Sequence, residues 1–307
     1  MVIRISKMQL AKMSRKILTI SGLKEIYQEY DFFIFDQWGV MHDGNNSYRK
    51  AIDCIYKLNS KKKKISIISN SSKRKYSTLL NLSKLGFNPV YFHEVLTSGE
   101  MIWQSLINKD HDLIKNLGKR YFHIHNEEKK DSKLFLEGLD KYTEVTKIND
   151  ADFILGCTPF AKNKVIDYFP ILDVAIKKNL TFICVNPDFD TYDNFSKKLS
   201  FCMGTISALY ENMGGEVFTL GKPNVEIYYE TIKKIINIDK SKILAIGDSI
   251  HHDIQGAKNF GIDSLLITST GIHQDFFDKK NPLWESDRNS LRKFDINPTF
   301  ISADLRF

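Results

Sequence analysis

Asp31-Phe-Phe-Ile-Phe-Asp36-Gln-Trp38-Gly39-Val40-Met-His42-Asp43-Gly44 is the stretch from which the fold can be read. Phe32 to Phe35 place four apolar residues in a row, the pattern of a strand buried on both faces of a parallel sheet. The run ends in a carboxylate, and Gly39 then lets the chain turn. Open α/β sheets bind their ligands at the carboxyl ends of their strands, so Asp36 stands where such folds carry chemistry. A carboxylate there serves as nucleophile, as metal ligand or as both.

Outward from this strand, short apolar strands alternate with amphipathic helices, which implies an α/β fold with a mostly parallel, Rossmann-like sheet. Ile65–Ser69 is the next expected strand. The helix Lys73–Leu85 follows, with Tyr76, Leu79 and Leu80 on one face and Gly86 as its stop. Val90–Leu96 is a third strand, ending at Thr97-Ser98-Gly99-Glu100. The middle of the chain starts a fresh set, with strands at Tyr121–His125, Asp152–Gly156 and Thr181–Asn186 and helices at Phe135–Leu139 and Val165–Lys178. The first pattern is then expected to resume with strands Glu216–Leu220, Lys242–Ile246 and Ser264–Thr268. Between them lies a helix, Val225–Ile236, whose apolar stripe is Tyr228, Ile232, Ile235 and Ile236. No repeat, low-complexity tract or Pro/Gly/Ser linker interrupts the series. The simplest architecture is a discontinuous core, 1–98 and 205–307, carrying an inserted second α/β domain at 99–204.

A chain of 307 residues, 42% hydrophobic and 26% charged, suits one large globular domain or two modest ones. No apolar run approaches the ~20 residues of a membrane helix. The start, Met1-Val-Ile-Arg-Ile-Ser-Lys, lacks a secretory n-region and h-region, so a cytoplasmic protein with no membrane partner is expected. Cys54, Cys157, Cys184 and Cys202 form no C-x-x-C pair, which leaves free thiols in a reducing compartment as the reading. The net charge is +7, but the lysines are scattered, and Lys61–Lys64 reads as a solvated turn. No nucleic-acid partner is expected from them. The positive field equally suits a small phosphorylated substrate. A homodimer is left open.

If the strands ending at Asp36, at Ser69-Asn70 and at Gly247-Asp248 share one parallel sheet, their ends converge. Two neighbouring carboxylates, Asp36 and Asp248, repel unless a cation lies between them. Mg²⁺ suits such a pair, since it takes one or two carboxylates plus water and phosphate oxygens. Asp253, one turn on, is a further ligand or a support behind the ligands. Ser69 and Asn70 offer a hydroxyl and an amide to a phosphate oxygen. Lys222, in Gly221-Lys222-Pro223, balances the charge that a nucleophile and a phosphate bring together. Singly, each has an ordinary structural role: strand-end aspartates cap helices, and lysines are solvated. The ordered set at strand-to-helix junctions points to a site.

In that order the residues resemble the haloacid dehalogenase-like hydrolase superfamily. Asp36 and its surroundings are similar to the first family motif, Ser69-Asn70 to the second, Lys222 to the third, and Gly247-Asp248-Ser-Ile-His-His-Asp253 to the fourth. The insert resembles a C2-type cap. Thr97-Ser98-Gly99-Glu100, Asn186-Pro187-Asp188 and Gly204–Gly215 resemble the class IIA branch, with its NagD-like sugar phosphatases and nitrophenylphosphatases. The resemblance implies a Mg²⁺-dependent phosphomonoester hydrolase with Asp36 as nucleophile and an aspartyl-phosphate intermediate. It implies a metal held by Asp36, Asp248 and the Trp38 backbone carbonyl, with Ser69 and Lys222 on the transferring phosphoryl group. The substrate implied is a small phosphorylated metabolite, a sugar phosphate among the candidates.

One departure weakens that implication. The family usually carries a second Asp, the general acid and base, two residues after the nucleophile. This chain has Trp38 there, and an indole cannot protonate a leaving alkoxide. His42 and Asp43 in the following loop are the substitute acids to consider, and Trp38 is a candidate to stack on a substrate ring or on the cap. Slow hydrolysis is one expectation; a catalytically impaired protein that binds a phosphorylated ligand is the alternative. Adjacent His251 and His252 point different ways on a helix and are not expected to share a metal. His123 and His125 alternate on one strand and share a face, for which a structural role is expected.

Overall fold

The computed structural model of the protein describes residues 17–128, 131–193, 198–233, 235, 238–274 and 296–307. Ile236, expected on a helical stripe, lies outside them. In chain order the strands are β1 (Leu18–Thr19), β2 (Phe32–Phe35), β3 (Lys64–Ser69), β4 (Glu94–Thr97), β5 (Arg120–Ile124), β6 (Thr143–Val145) and β7 (Phe153–Gly156). They continue as β8 (Thr181–Cys184), β9 (Asp190–Asp193), β10 (Lys198–Phe201), β11 (Val217–Phe218), β12 (Ile243–Gly247), β13 (Asp263–Ile267) and β14 (Phe300–Ser302). Among the described residues one sheet has the order β1-β14-β13-β12-β2-β3-β4, another the order β11-β8-β7-β5-β6, and β9 and β10 make a hairpin. The fold is the expected α/β, Rossmann-like one.

The chain divides into two compact units. The first draws on Met1–Ile68, Leu82–Glu94 and Tyr228–Phe307, the second on Ser69–Asn81 and Val95–Ile227. The expected boundaries at 98/99 and 204/205 both fall inside the second unit's stretches.

In the first unit β2 is central, paired in parallel with β12 on one side and β3 on the other. All four of its residues are buried, as the unbroken apolar run requires. Ile243 to Ile246 stand opposite Phe32 to Phe35. A stripe of rings, Tyr30 with Phe33 and Phe300, packs edge-on beneath the sheet.

In the second unit every pairing from β11 through β6 is parallel. One face of this sheet, with Ile124, Ile154 and Phe182, forms a core with Tyr168, Leu172, Met203, Ile206 and Tyr210. The last five come from the segment Val165–Tyr168 and the helices Phe169–Lys177 and Met203–Asn212. By the alternation of the pleat, Tyr121, His123 and Leu155 belong to the other face.

Two expectations are corrected. Val217–Phe218 does not resume the first sheet: it pairs with Phe182 and Ile183 of β8 in the second unit. Its apolar alternation is the same in either sheet, so sequence could not place it. The helix expected over Phe135–Leu139 instead covers Asp131–Phe135 and gives way to turns at Gly138, whose φ of +82° is left-handed. Among the described residues no helix is long and apolar enough to cross a membrane. All four cysteines are free and buried.

Candidate active site

Parallel pairing of β2 with β12 puts Asp36 and Asp248 beside each other. The Asp36 amide donates to the Ile246 carbonyl at 2.8 Å, so Asp36 leaves its strand one residue before Asp248 leaves the neighbour. Asp253 returns on a π-helical turn, Ile250–Ile254. One carboxylate oxygen from each of Asp36, Asp248 and Asp253 lies within 4.8 Å of the others, and all three residues are buried. Three carboxylates gathered away from water repel strongly unless a cation joins them. An all-oxygen donor set of this kind fits a hard divalent ion.

The surrounding backbone is shaped around Asp248. The Ile272 amide donates to its Oδ2 at 2.7 Å. Gly39 and Gly271 both have φ of +79°, a conformation open to glycine. A Cβ would stand 2.4 Å from Asp248 Oδ2 if built on Gly39 and 1.8 Å if built on Gly271. The Thr270 hydroxyl donates to the Gly39 carbonyl and ties the two turns together. Asp253 is held by the Ser249 amide, which donates to its Oδ2 at 3.0 Å. Next to Ile272, burial first and then His251 and His252 push the His273 imidazole down to about 4, so it is neutral at ordinary pH.

Trp38 is 40% exposed. Its indole lies over its own turn: a Cβ on Gly44 would meet the ring at 2.2 Å, and the His42 ring stands edge-on at 6.0 Å. His42 is buried, and its Nδ1 accepts from the Gly44 amide at 3.0 Å, which leaves the proton of the neutral ring on Nε2. Asp43 uses Oδ1 to accept from the amides of Asn45 and Asn46, at 3.0 and 2.7 Å, as a turn-forming Asp does. His251 is exposed and its neighbour His252 buried, so the pair diverges as helical geometry requires.

Ser69, Asn70 and Lys222 are in the second unit and are all buried. Asn70 grips the Lys222 backbone from both sides. Its Oδ1 accepts from the Lys222 amide at 2.7 Å, and its Nδ2 donates to the Lys222 carbonyl at 2.9 Å. The same Nδ2 donates to Asp188 Oδ1 at 2.8 Å. Ser69 Oγ accepts from the Ser71 amide at 3.3 Å. Close by, the Ser98 hydroxyl donates to the Val185 carbonyl. The place of Gly221 is set by approach: a Cβ there would lie 2.5 Å from Asn70 Oδ1 and from Pro187. Thr97 caps its helix by accepting from the Glu100 amide at 2.9 Å, and Glu100 meets the Arg74 guanidinium at 2.8 Å. The segments 69–74, 97–100, 186–188 and 221–223 therefore assemble into one buried polar cluster. Sequence reasoning noted Asp188 as a signature without seeing that it orients Asn70. It also missed Gly271 and Ile272, whose signal is a Ser-Thr-Gly turn closing the strand before it.

A family model described as haloacid dehalogenase-like hydrolase matches residues 92–261. The chain belongs to the haloacid dehalogenase-like hydrolases. Two further models of the same group match residues 33–130 and 219–306 of this hydrolase, so the matches take in both units. A 4-nitrophenylphosphatase of Schizosaccharomyces pombe is 24% identical over 281 residues, 86% of this chain and 91% of the yeast protein. A hydrolase of the haloacid dehalogenase-like family from Brucella suis 1330 superposes with a TM-score of 0.76 at 27% identity, covering 93% of this chain and 99% of its own. A glycerol phosphate phosphatase from Mycobacterium tuberculosis in complex with magnesium shares the fold, with a TM-score of 0.61 at 18% identity over 91% of this chain and 77% of its own. The yeast relative is of the nitrophenylphosphatase kind expected from the sequence.

Proposed function

We propose that this hydrolase cleaves phosphomonoesters of a small phosphorylated metabolite through an aspartyl-phosphate on Asp36. The observation that carries the reading is the buried cluster of Asp36, Asp248 and Asp253 at the ends of adjacent strands. Asp36, Asp248 and the backbone carbonyl of Trp38 are the proposed ligands of Mg²⁺, with Asp253 as a ligand or as a support behind them. When bound, the ion offsets the carboxylate charge and polarises the phosphoryl oxygens. A carboxylate oxygen of Asp36 attacks phosphorus, and the bond from phosphorus to the leaving oxygen breaks. Water then attacks the same phosphorus, freeing phosphate and restoring the Asp36 carboxylate. Ser69 and Lys222 bind the transferring phosphoryl group, and the Asn70 grip on Lys222 fixes the lysine's backbone for that task. Residues 99–204 serve as the cap that selects the leaving group.

The leaving oxygen needs a proton unless it departs as a stable anion. Trp38 has none to give. Asp43 Oδ1 is engaged in its turn, while His42 carries its proton on Nε2, which makes His42 the first substitute to test. The Trp38 position also supports a second reading, a protein that binds a phosphorylated ligand without turning it over. A screen of sugar, nucleotide and cofactor monophosphates with Mg²⁺ separates the two. Phosphate release from one group of related substrates supports the hydrolase, whereas ligand binding without release across the panel supports the binding protein.

A further inference from the structure

The second unit contains a group of donors unlike the carboxylate cluster. His123, His125 and Glu144 each present one ligand atom, all within 4.8 Å of one another. Their convergence follows from strand geometry. His123 lies on β5 and His125 follows one residue past its end, two positions on, and their rings stack at 4.1 Å on one side. Glu144 stands on the neighbouring edge strand β6, opposite Tyr121, which shares that face. Cys157 lies two residues beyond Leu155, the partner of His123 on β7, and so joins the same side. This is the face opposite the cluster built on Ile124, Ile154 and Phe182.

We propose that His123, His125 and Glu144 form a transition-metal site, suited to Zn²⁺, that ties edge strand β6 to β5. Nδ1 of His123 and Nδ1 of His125 are both buried and have no hydrogen-bond partner. A buried imidazole nitrogen left without a partner is costly, and a metal ion satisfies it. The other nitrogen of His123, Nε2, lies 3.4 Å from Cys157 Sγ. That is the arrangement of a ligating histidine, one ring nitrogen free for the metal and the other held by a neighbour that fixes the tautomer. Glu144 Oε1 is 3.9 Å from His123 Nδ1, too long for a hydrogen bond. Tetrahedral ligands at ~2.0–2.1 Å from zinc stand roughly 3.3 Å apart, so a small swing of the exposed Glu144 side chain closes the set. Nitrogen donors select Zn²⁺, Co²⁺ or Ni²⁺ over Mg²⁺, so the two clusters sort different ions. Enclosure runs from buried His123 to exposed Glu144, which marks the side of entry.

The site stands independently of the hydrolytic reading, and its test uses metal binding alone. The full chain carrying Asp248→Asn, which disables the carboxylate cluster, is stripped with chelator and titrated with Co²⁺. One equivalent should bind and give visible d–d bands, Zn²⁺ should displace it, and Mg²⁺ should not. His125→Ala should abolish the bands. Glu144→Gln, an exposed change that leaves the fold undisturbed, should weaken binding by at least the ~10–100-fold that loss of even a supporting partner costs. The proposal is overturned if Co²⁺ fails to bind stoichiometrically, or if Glu144→Gln binds it with the wild-type affinity and spectrum.

Discussion

The two donor clusters of this chain show how differently a parallel sheet can gather ligands. Asp36 and Asp248 come from strand ends, where the backbone stops pairing and turns, and every donor atom is oxygen. His123 and Glu144 come from the face of neighbouring strands, and His125 joins them from the residue just past the end of β5. The first cluster is buried throughout, so its charge must be met by what binds there. The second grades from enclosed to exposed and carries only one charge, so what an empty site leaves unmet is a pair of buried imidazole nitrogens and not crowded charge. The first site thus calls for a cation through crowded charge, and the second calls for a metal through unpaired nitrogen donors.

The sharpest way to break this contrast is to remove the proposed nucleophile. Asp36→Asn should lower Mg²⁺-dependent release of nitrophenol from nitrophenyl phosphate by on the order of 10⁴-fold or more. The same assay on Glu144→Gln should match wild type. Comparable loss in both variants would show that the clusters do not act separately.

Next in size is Trp38→Asp, which should raise hydrolysis of an alkyl phosphate by ~10²–10⁴-fold, the usual worth of a positioned acid. The aryl substrate should gain much less, because nitrophenolate leaves without a proton. Equal gains on both substrates would mean that the indole obstructs the site rather than displacing an acid.

Gly271→Ala tests the shaping of the carboxylate end. The new Cβ would fall 1.8 Å from Asp248 Oδ2 in a left-handed backbone. Strain on the order of 1–3 kcal/mol is expected, read as a lower melting temperature and a higher Mg²⁺ requirement. Unchanged melting and metal response would show that Asp248 is not confined as described.

The smallest effect concerns a carboxylate that has a cationic partner instead of like-charged neighbours. Burial raises the Glu100 pKa, but the Arg74 guanidinium, the Lys75 amide and Gln104 outweigh it and leave the group below its usual 4.5. A depressed carboxylate adds stability above the unfolded value and loses it as pH falls through the folded one. Glu100→Gln should therefore melt below wild type at neutral pH, with the gap closing beneath pH 4.5. A gap that stays constant into acid would show that the charge plays no part.

How far each cluster could be foreseen follows from the same contrast. Asp36, Ser69-Asn70, Lys222 and Asp248 to Asp253 are legible because each ends or follows a recognisable strand, and their order along the chain is informative. The histidine pair was visible as an alternation on β5. Its completion was not, because Glu144 sits on a three-residue strand with two exposed positions and no apolar pattern. Cys157 looked like any buried thiol. β14 was missed for a related reason, since three residues are too few for periodicity to register. The placement of Val217–Phe218 failed because a partner strand is chosen by tertiary packing, which alternation does not encode.

The protein has three tryptophans, and the two among the described residues fall one in each unit. Trp38 rests on the turn that follows Asp36, part in water. Trp103 lies under the Arg74 guanidinium, 3.5 Å from its ring. Their fluorescence therefore separates the units optically. Emission from Trp38 reports the polarity at the carboxylate end, and emission from Trp103 reports the integrity of the Arg74 contact. Phenylalanine variants that replace Trp284 and one of these two indoles make the chain its own two-channel sensor, with no label attached.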